Sequence, residues 1–132
     1  MKITQQLLDD LSARAKASPR LRINLDLRNS EADRSQRMLN AIEPGSRVPV
    51  HRHRTTSETV VCLRGRLVED FYDEVGRCCT DSIELSPNGQ NVALNIPKGQ
   101  WHTVRVLESG TVIMEVKDGP YEPLDPTDVL SL

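Results

Sequence analysis

His51 and His53 stand one residue apart in HRHRTTSE, Glu58 follows five positions later, and His102 is the third and last histidine of the chain. Imidazole is a preferred ligand for transition ions near neutral pH, so the placing of three scarce histidines is the first chemistry to weigh. In an extended segment, residues two apart share a face at about 6.6 Å, from ~3.3 Å of rise per residue. Two imidazoles so placed lean toward one ion. A turn through Arg54, Thr55 and Thr56 reverses the chain and lets Glu58 face the same point from the next strand, adding an oxygen ligand. His102 follows Pro97-Lys98-Gly99 in a second turn-then-strand unit and enters from another wall. A lone strand histidine is ordinarily a surface or satisfied core residue. Three with a suitably displaced glutamate form a set that metal chemistry needs and strand packing does not. His51, His53, Glu58 and His102 are therefore the expected ligands of one divalent transition ion, with Fe, Mn, Ni, Co and Zn all compatible with the donor set.

These ligands need a scaffold that brings separated stretches together. Ile3, Leu7, Leu8, Leu11 and Ala15 recur at helical spacing, and Ser18-Pro19 supplies a stop, so one amphipathic helix opens the chain. After Pro19 the period changes to two. RINLDL (22–27), RMLNAI (37–42), VVCL (60–63), RLVEDFY (66–72), SIEL (82–85), VALNI (92–96), HTVRVL (102–107) and TVIMEV (111–116) are short, and most are rich in β-branched residues. Turn residues separate them, with DEVG (73–76) reading as a hairpin turn and SPNGQN and PKG as tighter connections. Many short strands at this spacing imply a sandwich or a barrel. The expected organisation is a helical appendage over 1–19, a β domain over 20–118 and an extended tail over 119–132 that runs as a strap ending in a short turn. Open sheet edges need covering, by the helix, by the strand at Ile23 to Leu27 or by a partner's strand, and a homodimer is the expected assembly.

Composition excludes several classes. A chain of 132 residues with 37% hydrophobic content supports one core. Seventeen basic side chains against nineteen acidic ones, with no basic cluster interleaved with aromatics, give no nucleic-acid surface. Acids and amides interrupt the apolar pattern of the first twenty residues, and no later run approaches a membrane span, so a cytoplasmic location is expected. Three cysteines, with Cys78 and Cys79 adjacent, fit a reduced compartment.

Polar residues on otherwise apolar strands are candidates for contacts around the ion: Asn24, Gln36 and Arg37 toward a substrate, with Asn40 and Glu69 behind them. The Arg37 fork would match a carboxylate or phosphate, although a solvated role is the commoner one. Cys62 reads as a small core residue, and Cys78 and Cys79 as packing residues. Trp101 should point away from His102, packing outside the barrel or at a subunit contact.

The pattern Gly45, five residues, His51-x-His53, four residues, Glu58, six residues, Gly65 resembles the first cupin motif throughout, and Pro97-x-Gly99-x-x-His102 resembles the core of the second. Asn91 stands where the second motif begins with glycine, and Val106 where it ends with asparagine. Through QRMLNAIEPGSRVPVHRHR, SETVVCLRGRL, IPKGQWHTV and EVKDGPYEPL the chain is similar to the WbuC-type cupin metalloproteins. That resemblance implies an all-β fold, a cupin double-stranded β-helix (jelly-roll barrel) with a short N-terminal helix, and an association with surface-polysaccharide biosynthesis. The chemistry of such a metal site makes a metal-dependent isomerase, epimerase or oxygenase-like activity on a small polar metabolite the expected one, and the family association points to a sugar-derived substrate. The rival reading is a non-catalytic module that senses or holds a small ligand with the metal as anchor. Metal uptake by free imidazoles would weaken below about pH 6.5, where they protonate.

Overall fold

Leu8, Leu11 and Ala15 fall on one side of α1 (Gln5–Ala17), and that side is buried. Thr4 caps the helix, its hydroxyl accepting from the Leu7 N–H at 3.2 Å, and Ser18 turns extended before Pro19. Ile3 shares the apolar period but precedes the helix and is exposed. The structure is a computed structural model and describes residues 1–75 and 77–130.

Among the described residues eight antiparallel strands follow: β1 (Arg22–Asp26), β2 (Ser35–Ile42), β3 (Glu58–Arg64), β4 (Leu67–Tyr72), β5 (Cys79–Leu85), β6 (Ala93–Ile96), β7 (His102–Val106) and β8 (Thr111–Asp118). They form a five-stranded sheet in the order β1-β2-β8-β3-β6 and a three-stranded sheet in the order β5-β4-β7. Alternation decides what each face covers. Ile42, Val60, Cys62, Leu67, Leu85, Ile96 and Ile113 pack between the sheets, while Leu39, Ala41 and Val112 face the opposite way and receive α1. Each fully buried leucine of these clusters contributes roughly 1.5–3 kcal/mol. The fold is the jelly-roll barrel with a short N-terminal helix.

A bulge between Cys62 and Arg64 ends the regular pairing of β3 with β8, and Gly65 follows with φ +79°. Its α-carbon lies so close to Thr111 that a side chain has no room. β4 and β5 pair across the DEVG segment, of which Gly76 lies outside the described residues. Cys78 and Cys79, expected to pack, are exposed, because β5 is an edge strand whose outer half meets solvent. Trp101 is buried within its own chain: the indole N–H donates to the Glu74 carbonyl at 3.1 Å, and the Arg52 guanidinium covers the ring at 4.6 Å.

After β8 the chain contributes residues 120–125 to the lining of the cavity beside His53 and reaches a 3₁₀ turn at Pro126–Asp128. Gln36 donates its amide hydrogens to the Gly119 and Pro120 carbonyls, both at 3.0 Å, and Asp128 accepts from Arg52 at 2.7 Å and Arg54 at 2.6 Å. Among the described residues no helix is long and apolar enough to cross a membrane.

Candidate metal centre

His51 and His102 exchange backbone hydrogen bonds, His51 N–H to the His102 carbonyl at 3.0 Å and His102 N–H to the His51 carbonyl at 2.9 Å. Residues paired in this way project side by side from one face. The stretch around His51 is otherwise an isolated bridge rather than the regular strand that alternation suggested. His53 is positioned separately, its carbonyl accepting from the Gly99 N–H at 2.7 Å, so the turn that leads into His102 also clamps His53. The ring centroids lie 5.1 Å (His51 to His53), 4.4 Å (His51 to His102) and 5.8 Å (His53 to His102) apart. One nitrogen from each ring falls within 4.8 Å of the other two.

The orientation of two rings is fixed from behind. His51 Nδ1 lies 2.9 Å from the Pro49 carbonyl and His102 Nδ1 2.8 Å from the Gln100 carbonyl. A carbonyl only accepts, so both Nδ1 atoms carry hydrogen and each Nε2 is turned toward the centre, the arrangement that supports a ligating imidazole. Glu58 opens β3 and is buried, with Oε1 2.9 Å from His102 Nε2 and Oε2 3.9 Å from His53 Nε2. Its Oε2 has no hydrogen-bond partner. A buried, unsatisfied carboxylate oxygen beside converging imidazole nitrogens is a donor set that fits one divalent ion.

Electrostatics separates the three histidines. Burial, reinforced by the charge of His102, pushes His51 down to about 4; burial also pushes His53 to about 4, against the opposing pull of Glu58. Burial acts on His102 too, but the hydrogen bond and charge of Glu58 override it and hold its pKa above the usual histidine value. Burial would raise Glu58, yet the His102 hydrogen bond and the charges of His102, Lys117 and His53 keep it ionised. Without metal, one proton therefore sits between His102 Nε2 and Glu58, where an ion would be shared. The free-imidazole value near 6.5 does not describe His51 or His53; proton competition for the site falls first on His102.

Of the remaining candidates, Asn24 and Gln36 line a cavity of about 680 Å³ at the barrel mouth, together with His53. Arg37 lies elsewhere, on the other face of β2 from Gln36, where its guanidinium meets Asp33 at 3.1 Å and the Ser35 carbonyl at 2.6 Å. Asn40 donates to Glu115 at 2.9 Å. Glu69 is buried, one of its oxygens lacks a partner, and burial with the nearby charges of Glu115 and Glu58 raises its pKa well above the carboxylate range. Cys62 is in the core, where burial pushes its thiol up to about 11, so without metal it stays a neutral thiol near neutral pH. Sequence reading passed over Glu115 and Lys117. Their signal was there: on β8 they continue the inward parity of Ile113, and charges at inward positions near a strand end mark a polar pocket.

Two rolled sheets with three histidines converging at one end define a cupin fold, and solved structures agree. KdgF from Halomonas sp. superposes with a TM-score of 0.62 at 13% identity, over 80% of this chain and 84% of that one. A sugar phosphate isomerase of the cupin superfamily from Silicibacter pomeroyi gives 0.56 at 19% identity, over 74% of this chain and 59% of that one. A mutant of the Bacillus subtilis oxalate decarboxylase OxdC gives 0.62 at 19% identity, over 83% of this chain and 28% of that one. At these identities the likeness is one of fold. The chain belongs to the family described as Domain of unknown function (DUF6016), which matches residues 3–85. A search of the curated proteins finds no match.

Proposed function

We propose that this protein is a mononuclear, metal-dependent cupin enzyme of the WbuC type, an isomerase, epimerase or oxygenase-like catalyst acting in the cytoplasm on a small, sugar-derived metabolite of surface-polysaccharide biosynthesis. The supporting observation is the convergence of one ring nitrogen each from His51, His53 and His102 to within 4.8 Å of one another, beside a buried Glu58 whose Oε2 has no partner and with two rings held by backbone carbonyls. When bound, a divalent ion supplies Lewis-acid polarisation of a carbonyl or hydroxyl oxygen. The chain supplies the rest. The Pro49 and Gln100 carbonyls orient two ligands, Glu58 gives up its proton partner to bind, and the strap shapes the mouth and limits water. Asn24 and Gln36 face the cavity from which His53 is reached, so a ligand of monosaccharide size has both room and polar contacts. A homodimer, with residues 20–118 as the β unit and the flanking segments packed on it, belongs to the same reading; scattering that gives a monomer mass at micromolar concentration removes that part.

Metal analysis tests the core of the proposal. Protein purified without added metal and then titrated with Ni(II) should bind one ion per chain and melt at a higher temperature, because the ion binds only the folded state; at 100 times its dissociation constant it adds about 2.7 kcal/mol. His51→Ala and His102→Ala should lose both effects. Unchanged stoichiometry in both variants removes the assignment.

A further inference from the structure

Lys117 stands directly opposite Glu58 in the pairing of β8 with β3 and directly opposite Gln36 in the pairing of β8 with β2. Its ammonium therefore projects into the barrel between a candidate ligand and a residue of the mouth. The side chain is only 12% exposed, and it lines the cavity beside His53. Nζ lies 3.7 Å from Glu58 Oε2 and 3.9 Å from Glu115 Oε2, close enough for attraction and too far for a good hydrogen bond to either. A lysine confined in this way keeps hydrogen-bond donors unspent and aimed at the cavity.

The charges of the lining explain what those donors await. Arg20, Arg54 and Lys117 are balanced by Glu122, Asp125 and Asp128, and the Arg54 guanidinium is already bound to Asp128 at 2.6 Å. With an ion in the centre, Glu58 commits its charge to that ion, and Lys117 keeps only the more distant Glu115. The loaded floor then carries surplus positive charge at two adjacent points, the ion and Nζ.

We infer that the metal-loaded cavity takes a small organic carboxylate carrying a hydroxyl or keto oxygen next to the carboxylate, with Lys117 as the residue that pairs the carboxylate while the neighbouring oxygen reaches the ion. This rests on the metal-centre reading and adds the substrate class to it. One ammonium, partly offset by Glu115, matches one negative charge. A phosphate dianion would ask for more cations or a ring of backbone N–H donors beside Lys117; the Arg52 and Arg54 forks that suit phosphate are held by Asp128, and Arg20, the other guanidinium of the lining, is exposed. The cavity, about 680 Å³, accommodates a six-carbon hydroxy acid.

The test uses the full chain loaded with Ni(II), its stoichiometry measured first, and calorimetric titration with gluconate, its neutral counterpart sorbitol, and sorbitol 6-phosphate. Gluconate should bind at least tenfold more tightly than either of the others. Lys117→Gln should weaken gluconate at least tenfold with one ion still bound, Lys117→Arg should restore most of the affinity, and Glu115→Gln should tighten it by removing the competing carboxylate. The inference is overturned if the loaded wild type does not prefer gluconate, if sorbitol 6-phosphate binds best, or if Lys117→Gln and Glu115→Gln leave the affinity unchanged. A wild type that takes up no metal overturns the metal-centre reading as well, whereas a loaded protein indifferent to Lys117 overturns only the substrate class. Should Lys117→Gln fail to fold, the wild-type preference and the Glu115→Gln effect decide the matter.

Discussion

Replacing Glu58 with glutamine should change the charge of His102 before any metal is added. The size of the effect can be worked from its neighbours. His51 and His53 share the pocket, and burial takes each from 6.5 to about 4. That drop corresponds to on the order of 3 kcal/mol against the charged ring. His102 is buried at least as deeply, yet its pKa is raised, so the 2.9 Å hydrogen bond and charge of Glu58, with smaller help from the Gln100 carbonyl and Glu115, must together outweigh that burial cost. Glutamine keeps the shape and removes the charge. In Glu58→Gln, His102 should fall below the ordinary histidine value toward that of its two neighbours. Proton and carbon NMR of the ring Cε1 positions against pH reads this directly, with His102 assigned by its loss in His102→Ala. The metal-free wild type should show one histidine still protonated above pH 6.5 and two neutral to near pH 4, and the variant none protonated above pH 6. A His102 titration that stays elevated in Glu58→Gln refutes the account of the shared proton.

Three further outcomes are expected. For metal-free protein, His51 and His53 have folded pKa values below their unfolded ones, so the unfolded chain takes up protons first as pH falls; their contribution should erode from pH 6.5 to about 4, by on the order of 3 kcal/mol for His51. His102, raised by Glu58, works in the opposite sense, its contribution complete below pH 6.5 and lost as pH rises through its folded value; urea midpoints measured across this range in wild type and His51→Gln separate the two. Gly65→Ala should cost about 2–4 kcal/mol, since the new methyl would lie 2.1 Å from Thr111 Oγ1 and 2.7 Å from its α-carbon at a φ of +79°, and a variant with an unshifted urea midpoint contradicts the packing at that bulge. Asp128→Asn should loosen the strap by removing the shared partner of Arg52 and Arg54, at a stability cost of about 1 kcal/mol, and limited proteolysis should cut within residues 119–130 faster than in wild type. Equal cleavage rates would show that the ion pairs do not hold the segment.

The alternation of apolar residues placed every strand within a few positions, because a half-buried strand must repeat every two residues wherever it lies in the fold. The helix was legible for the same reason, and its burial of Leu8, Leu11 and Ala15 follows its period. The histidine pair, the glutamate and the third histidine could be singled out because chemistry restricts which side chains suit an ion. Other features depended on pairing between distant segments, which carries no local signature. The exchange of hydrogen bonds between His51 and His102, the seating of Lys117 opposite Glu58, and the shared grip of Arg52 and Arg54 on Asp128 each join residues more than fifty positions apart. The same holds for charge. Three identical imidazoles become two neutral rings and one protonated ring only because the closed barrel strips water from all three and gives a carboxylate to one.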